Sequence, residues 1–87
     1  MSDISASTRV HIIFIHDDRR WYLNRTETVR NPKGDLYLKG YWNDDPAQST
    51  AHSYEIANLV RERFKRENGL TTRIALQAGD SAELIQE

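Results

Sequence analysis

The sequence predicts an α+β domain: a three-stranded antiparallel meander, one amphipathic helix on one face, and a fourth strand, in the order β-β-β-α-β. Three observations lead there. Alternation of apolar and polar residues runs from Arg9 to Trp42, interrupted by turn signals at Asp17-Asp18 and Asn31-Pro32-Lys33-Gly34-Asp35. From Ser53 the period becomes helical and stops at Asn68-Gly69. Alternation then resumes over Thr71–Leu76.

Met1–Thr8 is rich in Ser and has no periodicity, which reads as a loose leader. In Arg9–His16, Val10, Ile12 and Phe14 fall on one face and His11, Ile13 and Ile15 on the other; apolar residues on both faces predict an interior strand. Asp17-Asp18 follows as a turn, because Asp side chains bond nearby backbone amides. Arg20–Arg30 forms a long second strand, with Trp21, Leu23 and Val29 on one face and Tyr22, Asn24, Thr26 and Thr28 on the other. A strand of that length is expected to bend or carry a bulge. Pro32 presets the turn, Lys33 sits at its tip, and Gly34 takes the positive φ that other residues resist.

In the third strand Leu36, Leu38, Gly40 and Trp42 share one face; Tyr37, Lys39 and Tyr41 share the other. Gly40 leaves a gap for a cross-strand aromatic such as Trp21. Asn43-Asp44-Asp45-Pro46 stops the strand, and Ala47–Ala51 fits either a loop or a first helical turn. The helix places Ile56, Ala57, Val60 and Phe64 on one stripe with Leu59 on its flank. A basic last turn suits the helix dipole, and Asn68-Gly69-Leu70 suits a glycine cap followed by an apolar contact. After this crossover the fourth strand is expected to run parallel to a neighbour, the first strand. Residues 79–87 read as a short helical turn around Leu84 and Ile85 or as a frayed end, so 1–8 and 78–87 are the loose termini of a single domain spanning 1–87.

A chain of 87 residues buries only about 60–65% of its unfolded surface, so its core is modest. It has no cysteine, which removes cysteine-ligated zinc and favours a reducing compartment. The opening residues lack a signal pattern, and the longest apolar run, Ile12–Ile15, is far too short to span a bilayer. The expectation is a cytoplasmic protein without membrane partners. Net charge is −1, short of the positive excess of a dedicated nucleic-acid binder. Its distribution is uneven: Arg19, Arg20, Arg25, Arg30, Lys33 and Lys39 stand against Glu27 and Asp35, a local +4.

No residue cluster declares a reaction. His11 and His16 point to opposite faces of a regular strand, and His52 stands alone before the helix, so a metal would need ligands from distant segments. The carboxylate pairs Asp17-Asp18 and Asp44-Asp45 sit where turns place Asp. Ser49, Thr50 and Ser53 lie near His52 without the glycines of a nucleophile elbow, and the glycines are too scattered to cradle phosphate. The reading is therefore a non-enzymatic chain with no catalytic residues, metal or cofactor.

A surface remains. The helix-averted face of the sheet is expected to carry Tyr22, Tyr37, Tyr41, Lys39 and either Arg25 or Asn24, whichever the register selects, with Lys33 at the hairpin tip and Arg25 taken as the contact residue. Tyrosine and arginine are enriched where proteins grip each other. Bases interleaved with aromatics also suit nucleic acid. An ordinary solvated sheet face is built from the same residue types.

The run Gly40-Tyr41-Trp42-Asn43-Asp44-Asp45, with Ala47, the stretch Ser53–Phe64 and Asn68-Gly69, resembles the small β-β-α proteins encoded by phages and prophages. The likeness covers Tyr37–Ile74. Some similar-sized phage proteins inhibit host machinery, anti-CRISPR proteins among them, so it implies a stoichiometric protein-binding inhibitor. A second pattern, Trp21, Arg25, Arg30–Gly34 and Gly40-Tyr41-Trp42, is similar to the sheet-reading DNA-binding domains of plant ethylene-response factors and phage-type integrase amino termini. It departs from them in its first strand, in lacking the leading glycine motif, and in net charge. The expectation is a protein partner first, DNA second, and a second copy of the chain third.

Overall fold

The computed structural model describes residues 4–79 and 84–85. It is α+β, with a six-stranded antiparallel sheet and one α-helix. The elements are β1 (Arg9–His16), β2 (Arg19–Arg30), β3 (Leu36–Asn43), a 3-10 turn (Pro46–Gln48), β4 (Ala51–Ser53), α1 (Tyr54–Asn68), β5 (Arg73–Ala75) and β6 (Leu84–Ile85). The strand order is β3-β2-β1-β5-β6, with β4 paired to β1.

Both predicted hairpins form. Asp17 and Asp18 take φ of 53° and 61°, and this doubly left-handed turn matches the twist of the strands it joins. At the second turn the Asn31 side chain accepts the amides of Lys33 and Asp35, each at 2.9 Å, and Gly34 holds φ 92°. The expected irregularity in β2 is a bulge at Asn24, where the register with β3 shifts between Leu23 and Arg25.

That bulge divides the sheet. β2 pairs with β1 only as far as Tyr22, opposite Ile13, and afterwards follows β3 alone. The vacated side of β1 is taken by β4, in the register Arg9↔Ser53, Val10↔His52 and His11↔Ala51. Thr50 fastens the junction: its amide donates to Leu23 O at 3.0 Å and its hydroxyl to Asn24 O. β4 is thus a wedge in a fork, and the rest of β2–β3 projects as an arm. The molecule measures 45 × 28 × 19 Å along its principal axes.

The wedge corrects the expected topology. β5 does lie beside β1, through Ile12↔Ile74, but antiparallel to it. A chain returning across a helix takes the direction of the strand that entered the helix. That strand is β4, itself antiparallel to β1, so β4-α1-β5 is a β-α-β unit with β1 between its strands. The fourth strand of the sequence reading contracts to Arg73–Ala75, and residues left between loop and helix become the 3-10 turn and β4.

Val10, Ile12, Leu23, Leu38, Ala57, Phe64 and Ile74 form the main core between sheet and helix, with Trp42, Tyr54, Val60 and Leu70 against it. Phe14, Trp42 and Phe64 continue it as an aromatic chain, with centroids 4.6 and 5.4 Å apart. Trp42 and Phe64, rather than Trp21, fill the space at Gly40. The helix seats Ala57 and Phe64 deepest and leaves Ile56 47% exposed, so the buried stripe is rotated from the one expected. On the opposite side of the sheet Ile13, Tyr22 and Ala75 form a second cluster, covered by Ala78 and Leu84.

Helix ends follow the sequence signals. Ser53 Oγ accepts the Ile56 amide, Gly69 adopts φ 66°, and the Leu70 amide closes on Phe64 O at 3.1 Å. The leader is not loose over its described part: Thr8 O and Ala6 O accept the amides of Tyr54 and Glu55. At the other end Gly79 O accepts Arg20, and Leu84–Ile85 is a strand rather than a helical turn. The remaining terminal positions of that reading, 1–3, 80–83 and 86–87, lie outside the described residues.

Candidate functional site

Beyond the bulge, β2 changes which side chains face the helix. Arg25, Glu27 and Val29 now point away from it, opposite Tyr41, Lys39 and Tyr37. Val29, expected beside Trp21 and Leu23, lies on the averted face, while Thr26 and Thr28, opposite Gly40 and Leu38, lie on the helix side. One inserted residue inverts a strand's face, which is why the alternation before Asn24 does not extend past it.

The averted face of the arm is a three-rung ladder: Arg25/Tyr41, Glu27/Lys39, Val29/Tyr37. The Arg25 guanidinium stacks 3.8 Å from the Tyr41 ring centroid, and the Lys39 ammonium lies at 5.1 Å. The Tyr41 hydroxyl donates to the Glu27 carboxylate at 2.6 Å. Tyr41 is therefore held at its face and at its tip, so little side-chain freedom remains to be lost on binding. Arg25, Glu27 and Lys39 are exposed, Val29, Tyr37 and Tyr41 are half-buried, and none belongs to either core cluster.

The helix braces this arm from behind. Glu67 Oε1 accepts the Leu38 amide at 2.7 Å and Asn68 Nδ2 donates to Leu38 O at 2.7 Å. These two side chains take the places an added strand would use, blunting the edge of β3. Arg63 holds Glu67 in position at 2.9 Å and keeps its carboxyl below the ordinary range.

Of the residues expected to form a binding face, Arg25, Tyr37, Lys39 and Tyr41 stand together, and Lys33 is exposed at the arm's tip. Tyr22 is not with them. It lies before the bulge and is fully buried against Ile13 and Ala75, so it cannot present a contact surface. Glu27 and Val29, unassigned from sequence, join the ladder; knowing the position of the bulge would have found both.

The remaining polar groups have local tasks. Asp44 pairs with Arg19 at 2.8 Å, and Asp45 caps the 3-10 turn by accepting the Ala47 amide. His11 Nδ1 is hydrogen-bonded to Ser49 Oγ at 2.7 Å. The amides of Ser49 and Thr50 are engaged, with Pro46 O and Leu23 O, so neither is free to form an oxyanion hole for that pair. Burial, and next the neighbouring His52, hold His11 below its ordinary 6.5. Burial also lowers His52, a backbone bond at Thr50 opposes the shift, and Arg9 adds to it.

Among the described residues no set of three or more His, Asp or Glu is placed to hold a metal ion. A hollow of about 300 Å³ lies between the helix flank (Asn58, Arg61, Lys65) and Thr71-Thr72, and another of about 320 Å³ is lined by Asp18, Arg19, Arg20 and Asp44. Both are open to solvent, and the second is mainly polar. No helix among the described residues is long and apolar enough to cross a membrane. Compared with protein-family models, curated proteins and solved structures, the chain finds no match.

Proposed function

We propose that this chain is a non-enzymatic binding module that grips a protein partner through the helix-averted face of the β2–β3 arm. The observation that carries this is Tyr41, fixed between Arg25 and Glu27 on a face outside both core clusters. A preset aromatic beside a stacked arginine is the composition of an interface anchor. Val29 and Tyr37 add apolar area, and Lys39 and Lys33 stand at the rim. Acting by occupancy, such a module modulates its partner stoichiometrically, as the phage-protein resemblance implies.

A protein is favoured over DNA by the charges. Of the cations behind the local +4, Arg19 pairs with Asp44, Arg20 bonds Gly79 O and Arg30 bonds Gly34 O. Glu27 places a carboxylate in the middle of the face. Duplex binding rests on neutralising several phosphates, and the face itself offers only Arg25 and Lys39, with Lys33 at the tip, around that carboxylate.

The test is the double change Tyr37→Ala with Tyr41→Ala. A partner retained from host lysate by the native chain is lost by the variant, while its thermal unfolding stays close to native. Collapse of stability would return both tyrosines to the core and overturn the assignment. Tight duplex binding that falls steeply with salt and weakens on neutralising Arg25 and Lys33 would install DNA in place of protein.

A further inference from the structure

The fork between body and arm is closed by a very short element. β4 is three residues long, and it is held by its pairing with Arg9–His11, by Thr50 on the carbonyls of Leu23 and Asn24, and by Ser49 on His11. Two histidines border it, one in each paired strand. His11 sits on β1 opposite Ala51; His52 sits on β4 opposite Val10 and shares the helix-facing side of that residue. The Nδ1 of His52 is buried and has no hydrogen-bond partner.

The neutral ring suits this position and the charged ring does not. A neutral imidazole leaves one nitrogen as a bare acceptor, whereas an imidazolium must find partners for two N–H groups. At His52 the one on Nδ1 would be buried and unpaired, a cost that the backbone bond at Thr50 offsets only in part. Of the surrounding charges, Arg9 adds to the mismatch at His52. Arg9 stands in β1 beside the pair; Arg73 of β5 is registered with Ile13, on the same side of the sheet as His11. The helix contributes Glu55, whose amide is turned back to Ala6 O. The Coulombic effects that reach the rings are repulsive, His52 acting on His11 and Arg9 on His52.

We propose that β4 is an acid-released wedge: when His11 and His52 each take a proton from solvent, Ser49–Ser53 lets go of β1 and frees the root of the β2–β3 arm. The opening has a natural limit at Ser53, because the next two amides, Tyr54 and Glu55, are bonded to Thr8 O and Ala6 O. It also has a consequence. Thr50 is the tie between wedge and bulge, so release removes the bonds that set the arm's departure at Leu23 and Asn24.

The sign follows from the direction of the shifts. Both rings are lowered in the closed state from the ordinary 6.5, so the open state binds more protons. Closure is complete above 6.5 and weakens as pH falls below it. Each ring that protonates only when open multiplies the open population by up to roughly tenfold per pH unit.

Amide hydrogen exchange of the native chain, expressed as protection factors between neutral pH and pH about 5, reads this directly. The expected result is a fall in protection over Thr50–Ser53, of up to roughly tenfold per ring per pH unit. The β1–β2 hairpin from Ile13 to Tyr22 should keep its protection, and the fall should follow the NMR titration of the two rings. In the variant His11→Asn with His52→Gln, the pH dependence of the wedge disappears. Loss of protection in wedge and hairpin together, or a wedge that stays closed while both rings titrate, overturns the proposal. Those outcomes are read on the native chain, so the test stands even where the double variant does not fold.

Discussion

Gly40→Ala tests the packing that seats the helix on the arm. Gly40 lies in β3 opposite Thr26, with a backbone conformation any residue can adopt. A Cβ there would meet Trp42 Nε1 at 2.6 Å, Phe64 Cζ at 2.9 Å and Trp42 Cε2 at 3.0 Å. Neither ring has an easy retreat. Phe64 is 1% exposed, and Trp42 is pinned edge-on to Phe14 at 4.6 Å and tilted against Phe64 at 5.4 Å. Overpacking of this kind costs about 1–3 kcal/mol. Restricting the unfolded chain returns about 0.4–1 kcal/mol. The net expectation is destabilisation by roughly 1–2 kcal/mol, with about 4–8 °C of melting temperature per kcal/mol in a domain of this size. Urea unfolding followed by tryptophan fluorescence should show a lower midpoint at unchanged slope. Phe64→Leu shortens the ring that blocks the new methyl, so the double variant should be more stable than the sum of the single changes allows. A Gly40→Ala chain as stable as native would refute the argument.

Two further changes probe the turn and the brace. Asp18→Gly relieves a left-handed residue at φ 61°. It should stabilise the chain by roughly 0.5–1 kcal/mol, the left-handed penalty less the added chain entropy of glycine; a lower urea midpoint would show that the Asp18 side chain supports the turn. Glu67 has its carboxyl lowered first by the Arg63 hydrogen bond, so its contribution is present above the ordinary 4.5 and is lost as pH falls below it. Glu67→Gln should flatten the decline of stability with acid below 4.5, measured against the native chain at each pH; identical declines would mean the brace carries no charge dependence.

Much of the local structure was legible because it depends on residue chemistry at fixed offsets. The Asp17-Asp18 turn, Gly34 at positive φ and the Asn68-Gly69-Leu70 cap all stand where their side chains require. The tyrosine–lysine face of β3 was also legible, since no irregularity interrupts that strand. Tyr22 was not. Its strand alternates correctly up to Leu23, but exposure of the averted face depends on what covers it, and Ala78 and Leu84 come from the far end of the chain. Glu27 and Val29 were hidden by the bulge, because nothing in Leu23-Asn24-Arg25 says which residue will be the extra one.

The least legible element, β4, has the widest consequences. Three residues, Ala51-His52-Ser53, carry too little pattern to separate a strand from a helix start, and they form one because β2 has left that side of β1 open. Once seated, they reverse the expected direction of β5, since the helix returns the chain along the strand that entered it. They also account for where the candidate surface lies. With β4 seated on Arg9–His11, the pairing of β2 with β1 ends at Tyr22 and its remaining length goes to β3 alone. An arm built of two strands with a helix on one side has its other side uncovered. The bulge at its root places Arg25, Glu27 and Val29 there, beside Tyr41, Lys39 and Tyr37. The surface is therefore a consequence of the fork, and whatever loosens the wedge at His11 and His52 acts on the presentation of Tyr41.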